Sequence, residues 1–304
     1  MGSIRSMFNR QYTEFIAADA VTFSIPEGAL VGMLGANGAG KTTTLKMLSG
    51  LLYPSSGNAT VMGYIPWQRD NEFRRNFSLV MGQRNQLWWD LPAADTFLLN
   101  KEMYRISNAD YTLRLKQMSE HLDIADKLHV QVRKLSLGER MKCELIGALL
   151  HYPKVLFLDE PTIGLDIVAQ HALREFIATF NKEHGTTIIL TSHYMDDIEM
   201  LCERVILMDE GRIQFDGGLD VLVDKFSSEK VVTIVMEIMP ESSEIEQLQY
   251  VSEVGEDHIT FKVPKHEIAG VTTQCLHRFP VRDITISDMP VEEVIREIFS
   301  GKNI

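Results

Sequence analysis

Gly35-Ala36-Asn37-Gly38-Ala39-Gly40-Lys41-Thr42 is the stretch whose reading decides the fold. It fills the phosphate-loop pattern G-x-x-x-x-G-K-[ST] at every fixed position. Gly35, Gly38 and Gly40 let the loop bend until successive backbone N–H groups point at phosphate oxygens. Lys41 is expected to reach the β- and γ-phosphates of a bound nucleotide, and the Thr42 hydroxyl to hold Mg²⁺. Asn37 and Thr43 are expected to line the same site. The apolar run 30–34 before the loop suits a buried strand. Residues 44–48 after it open a helix whose N-terminal dipole faces the phosphates.

Around this stretch, 304 residues leave room for one large domain and a small one. A hydrophobic fraction of 45% and a charged fraction of 24% are those of an ordinary globular protein. No run approaches the ~18 apolar residues of a membrane span, and no N-terminal signal pattern is visible. A membrane role is therefore expected to need another chain. A net charge of -12 argues against a nucleic-acid partner. Cys143, Cys202 and Cys275 are scattered, and read as small buried apolar residues in a reducing cytoplasm.

The segment up to residue 25 reads as two strands, turning at Pro26-Glu27-Gly28 into the phosphate-loop strand. Residues 51–57 read as a loop, 58–64 as a strand, and 77–81 as a strand that ends at Gly82. Helical periodicity over 93–126 interrupts the alternation of strands and helices, and looks like an inserted helical subdomain over about 84–152. Runs 155–158 and 187–190 are continuously apolar, as parallel strands covered on both faces must be, with a covering helix at 167–183 between them. The expected class is a layered α/β fold. Near residue 226 the character changes. Strands at 230–238, 258–263 and 284–286 and helices at 268–279 and 292–299 predict a small accessory α/β domain over 226–304, following a main domain over 1–225.

The run 155–158 ends in Asp159-Glu160. An acid at the end of a buried parallel strand lies beside the phosphate loop, so Asp159 is expected to hold Mg²⁺ through its waters. Glu160, one residue on, is placed to orient and deprotonate an attacking water. With these residues the sequence resembles the ATP-binding subunit of an ABC (ATP-binding cassette) transporter, a P-loop NTPase. The resemblance implies further site residues in order along the chain. Leu135-Ser136-Leu137-Gly138-Glu139 stands where the family's LSGGQ signature binds the γ-phosphate held by an opposite subunit, through Ser136 and Gly138. Leu137 and Glu139 depart from that pattern. Gln83 matches the Q-loop residue that senses Mg²⁺ and the attacking water, and His193 the switch histidine that contacts the γ-phosphate. Pro161 to Asp166 matches the D-loop at the dimer interface. Tyr12 is the candidate to stack on adenine, with Phe15 as runner-up.

The resemblance implies an ATPase that closes head to tail with a second copy around two ATP molecules. It also implies a multi-span membrane permease as partner, docked on the region from Gln83 to Pro92, at the cytoplasmic face of the cell membrane. Trp88 and Trp89 suit an anchor there, or else pack under the helical block. The segment 130–134 lacks the T-x-V-G-E-x-G element of one exporter branch, and the run Leu87-Trp88-Trp89-Asp90-Leu91-Pro92 with the C-terminal extension instead looks like the branch whose separate six-span subunits export drugs, lipids or polysaccharides. The rival reading is a soluble ABC ATPase in a non-transport role such as iron–sulfur assembly. The C-terminal extension could steady the dimer, contact a regulator, or only cap the core.

Overall fold

A computed structural model describes residues 16–82, 85–192 and 194–299. The chain divides into two units, Met1–Asp216 and Gly217–Ile304. In the first, the apolar run before the phosphate loop is strand β1 (Leu30–Leu34), and the loop opens into helix α1 (Lys41–Leu48). Then follow α2 (Asn71–Arg75), β2 (Phe77–Met81), and the helices α3 (Ala93–Met103), α4 (Asn108–His121) and α5 (Leu137–Leu149). Next come β3 (Val155–Asp159), α6 (Ile167–His184), β4 (Thr187–Thr191), α7 (Met195–Leu201), β5 (Arg204–Asp209) and β6 (Arg212–Gly218). The six strands form one sheet in the order β2-β3-β4-β1-β5-β6. The ladders β2–β3, β3–β4, β4–β1 and β1–β5 are all parallel.

Asp159 is level with Thr191, and Thr191 with Met33, so the strands β3, β4 and β1 end together at one edge. All five residues of β3 and all five of β4 are buried, as their unbroken apolar runs require. One sheet face packs Val31, Met33, Phe157, Ile189 and Ile206 against Ala39 and Leu45 of the loop and α1. On the other face α7 lies so close to β1 that a Cβ on Gly32 would stand 2.9 Å from the Ile198 side chain.

Among the described residues, neither 16–25, the described part of the stretch expected to hold two strands, nor 58–64 forms a strand. Residues 16–25 form no ladder, although Val21, Phe23 and Ile25 do pack on the core. The alternation there reports burial of side chains and not strand pairing. Residues 58–64 hold a single bridge, Val61 to Tyr64, because Met62 and Gly63 both take positive φ and turn the chain back at once.

The second unit begins at Gly217, ahead of the change of composition at 226, because α8 (Leu219–Phe226) packs with the last helix. After it come β7 (Glu229–Met236), α9 (Ser242–Ile245), β8 (Val251–Val254), β9 (His258–Pro264), α10 (Ile268–Arg278), β10 (Val281–Asp288) and α11 (Val291–Phe299). The four strands are antiparallel in the order β10-β7-β9-β8. Val232, Ile234, Met236, Ile259, Phe261 and Val263 alternate inward and pack with Cys275 and Phe279 in a core of their own.

Candidate nucleotide site

Three chain segments meet on one carboxylate oxygen at the edge where β3, β4 and β1 end. Thr42 Oγ1, in the first turn of α1, donates to Asp159 Oδ1 at 3.0 Å. Thr191 Oγ1, at the end of β4, donates to the same oxygen at 2.7 Å. Asp159 is buried, and hydrogen bonds to a charged acceptor there each contribute about 1.5–3 kcal/mol. The hydroxyl and the carboxylate are hard oxygens side by side, and they fit Mg²⁺, which takes one or two protein oxygens and completes its shell with phosphates and water. Among the described residues no cluster of three His, Cys, Asp or Glu encloses a metal alone.

Lys41 is buried, and its ammonium donates to the carbonyls of Gly35 at 2.7 Å and Ala36 at 3.1 Å. Burial lowers its pKa, and the Glu160 and Asp159 carboxylates oppose that shift. Helix α1 follows Gly40, a left-handed N-cap residue with φ 100 and no side-chain cap, so its first N–H groups remain for an anion. A Cβ at Gly40 would fall on the Ala17 carbonyl oxygen. Gly38 and Asn37 are exposed, Gly35 and Thr43 half-buried.

Glu160 turns the chain out of β3 in the left-handed region, at φ 55. Its N–H is held by both the Thr191 carbonyl at 3.0 Å and the Thr191 hydroxyl at 3.1 Å. Such backbone costs about 1 kcal/mol or more and persists where the surroundings over-determine it, as at working sites. Gly82 backs onto this turn. Its N–H donates to the Asp159 carbonyl at 2.9 Å, and a Cβ there would land on the Glu160 carbonyl oxygen. Sequence reading passed over Thr191 and Gly82; a polar residue closing an apolar run was the available signal for Thr191. Tyr12, Gln83 and His193 lie outside the described residues.

The signature segment differs from its expected form in an informative way. Ser136 caps α5, accepting from Glu139 N–H at 3.2 Å, while Glu139 Oε2 accepts from Ser136 N–H at 2.8 Å. The S-x-x-E spacing of this capping box is visible in the sequence, and explains Glu139 as a structural choice. The Ser136 hydroxyl keeps its proton to donate. Gly138 is buried, and a Cβ there would stand 2.9 Å from that of Ala169, so it serves the packing of α5 on α6. Asp166 caps α6, accepting from Ala169 N–H at 2.8 Å, a role not foreseen for it.

The loop between β2 and α3 carries Trp88 and Trp89, 54% and 46% exposed, so neither is packed away under the helices. The signature helix grips this loop. Glu144, buried in α5, accepts from the N–H groups of Gln86 at 2.8 Å and Leu87 at 3.2 Å, and Arg140 lies 5.4 Å from the Trp89 ring centre. Burial raises the Glu144 pKa, and the two N–H groups oppose that. A groove of about 580 Å³ opens here, lined among others by Arg74, Leu79, Gln86, Asn100 and Glu144.

Comparison with known proteins agrees with this geometry. The ABC transporter family model matches residues 18–163, and the model for the C-terminal domain of EvrA-like ABC transporters matches 228–287. The ABC transporter ATP-binding protein NatA of Bacillus subtilis is 33% identical over 216 residues, 71% of this chain and 87% of its own. The chain belongs to the ABC transporter ATP-binding family. The linearmycin resistance ATP-binding protein LnrL of the same organism is 28% identical over 290 residues, 93% of this chain and 92% of its own. A solved ATP-binding subunit of an ABC transporter superposes with a TM-score of 0.63 at 28% identity, covering 69% of this chain and 87% of that one. The first unit is thus an ABC ATPase cassette of the P-loop fold, and among the described residues no helix is long and apolar enough to cross a membrane.

Proposed function

We propose that this ABC ATPase powers export through a separate multi-span permease, at the cytoplasmic face of the cell membrane. The observation that carries the reading is the half-exposed Trp88–Trp89 pair beside a groove, on a loop tied to the signature helix by Glu144 and Arg140. Exposed aromatic pairs beside a groove suit the anchoring of a partner's helix. Likeness to a resistance protein supports export as the direction.

In this reading ATP lies over the phosphate loop, with its γ-phosphate toward Lys41 and the uncapped end of α1. Thr42 and Asp159 would hold Mg²⁺, which would supply positive charge against the phosphates. Glu160 accepts a proton from the attacking water as that water's oxygen bonds to the γ-phosphorus and the bond from that phosphorus to the β–γ bridging oxygen breaks, so that ADP leaves with the electron pair. Gln83 senses the same water and His193 the γ-phosphate. Tyr12 stacks on adenine. A second copy approaches head to tail, presenting the Ser136 hydroxyl and the α5 N-terminus to that phosphate, with Asp166 and its loop at the interface. ATP closes the pair and hydrolysis reopens it, which reverses the access of the permease. The C-terminal unit is a separate accessory domain.

The test compares binding with folding. Trp88→Ala/Trp89→Ala should abolish co-purification with a multi-span protein from membranes, since two aromatic anchors contribute about 2 kcal/mol or more each. The melting temperature of the isolated subunit should move little, because both rings are already half in water. Undiminished co-purification would leave the docking reading without support.

A further inference from the structure

Behind the nucleotide edge lies a buried polar network that the reaction described above does not use. Its centre is Asp197 of α7, fully buried. Thr162 Oγ1 and Ser192 Oγ both donate to Asp197 Oδ2. Arg174 of α6, 5% exposed, donates from Nε to Asp197 Oδ1 at 2.6 Å. Arg174 also donates from Nη2 to Gln170 Oε1 at 3.2 Å. The Gln170 amide in turn donates to the Leu165 carbonyl at 3.2 Å and the Thr162 carbonyl at 3.4 Å. Ser192 Oγ accepts from the N–H of Tyr194 at 3.0 Å.

Each end of this chain of bonds leads to a different working segment. Thr162 and Leu165 belong to the loop 161–166, which starts immediately after Glu160. Ser192 closes the exit from β4 and immediately precedes His193. One carboxylate thus carries both segments, and Arg174 clamps it from behind. Interior groups of this kind have few alternative arrangements, because a displaced buried donor or acceptor finds no water to replace its partner. A shift of the 161–166 loop therefore moves Thr162 and, through Asp197, the Ser192 hydroxyl with it.

We propose that Asp197, clamped by Arg174, is a positioning residue that makes the 161–166 loop and Ser192 at the exit of β4 move as one, so that engagement of the loop by a second copy sets the catalytic geometry on the first. This rests on the head-to-tail dimer proposed above. Neither residue is placed against ATP or Mg²⁺. The network therefore acts on turnover and leaves nucleotide binding alone.

The experiment measures MgATP affinity, kcat, KM and melting temperature on the full chain for three proteins: wild type, Asp197→Asn, and Arg174→Met/Asp197→Leu. Asp197→Asn should lower kcat about tenfold or more with the ATP dissociation constant changed less than about threefold, a loss confined to the transition state. The double variant replaces the ion pair by apolar groups, and such exchanges at buried pairs commonly preserve or raise stability. It should therefore melt near or above wild type while kcat stays at least about tenfold down. A double variant that recovers turnover together with stability, or loses ATP affinity in step with kcat, would overturn the coupling and leave the network a plain support of the fold. A wild type that binds MgATP without turnover would remove the hydrolysis reading itself, and the proposal with it.

Discussion

Glu160 and Gly82 meet back to back, and substitutions at the two should slow turnover by different routes. Glu160→Gln removes the proposed proton acceptor while keeping shape and backbone. It should bind MgATP as wild type does and hydrolyse it about a hundredfold or more slowly, measurable as single-site titration against steady-state phosphate release. Gly82→Ala leaves every charge in place but drives a methyl group onto the Glu160 carbonyl oxygen. It should keep ATP affinity, lower kcat about tenfold, and lower the melting temperature as well. A Gly82→Ala protein with wild-type kcat would mean that the turn after β3 tolerates displacement. The phosphate-loop residues were legible in the sequence because their motif is contiguous: Gly35 to Thr42 needs no tertiary knowledge. Thr191, Arg174 and Asp197 were not, since each is an ordinary polar residue until sheet register brings Thr191 to Asp159 and helix packing brings Arg174 and Asp197 to the 161–166 loop.

The helical block shows a second physical dependence, on pH. His151, just after α5, stacks on Tyr104 at the end of α3 with ring centroids 3.7 Å apart. Both ring nitrogens are buried without a hydrogen-bond partner among the described residues. Burial pushes its pKa down from 6.5 to about 4, and the Phe77 backbone opposes this without reaching hydrogen-bond geometry. The unfolded chain therefore takes up a proton near pH 6.5 that the folded chain refuses until about pH 4. Stability is full above pH 6.5 and falls as pH drops toward 4. Between pH 7 and 4.5 wild type should lose about 2 kcal/mol more than His151→Phe, which keeps the stack and cannot protonate. Urea denaturation at the two pH values measures this, and an equal loss in both proteins would rule His151 out as the cause. Strands β3 and β4, built on the apolar runs 155–158 and 187–190, were readable to within a residue because burial on both faces leaves no other composition. Residues 58–64 were misread for the opposite reason: a turn at Met62 and Gly63 overrides a mildly apolar run.

The two units each carry their own core, one around β1, β3 and β4 and one around β7 and β9. A chain ended after Gly218, where β6 stops, should bind MgATP within about threefold of the whole protein by equilibrium titration, since none of the site's described groups comes from beyond that point. Loss of binding would mean that the cassette does not stand alone. The order of strands also sets a timetable for synthesis. β1 ends at Leu34, yet its two ladder neighbours, β4 and β5, begin at Thr187 and Arg204. At ~5–20 residues per second, the central strand waits roughly 8–30 s on the ribosome before either neighbour exists. During that interval Val31, Met33 and Leu34, all buried in the finished sheet, have no strand to lie against. The nascent cassette is thus a client for any chaperone that shields apolar segments, and only a cassette whose sheet is complete, with Thr191 closing on Asp159, can be held folded by the nucleotide it binds.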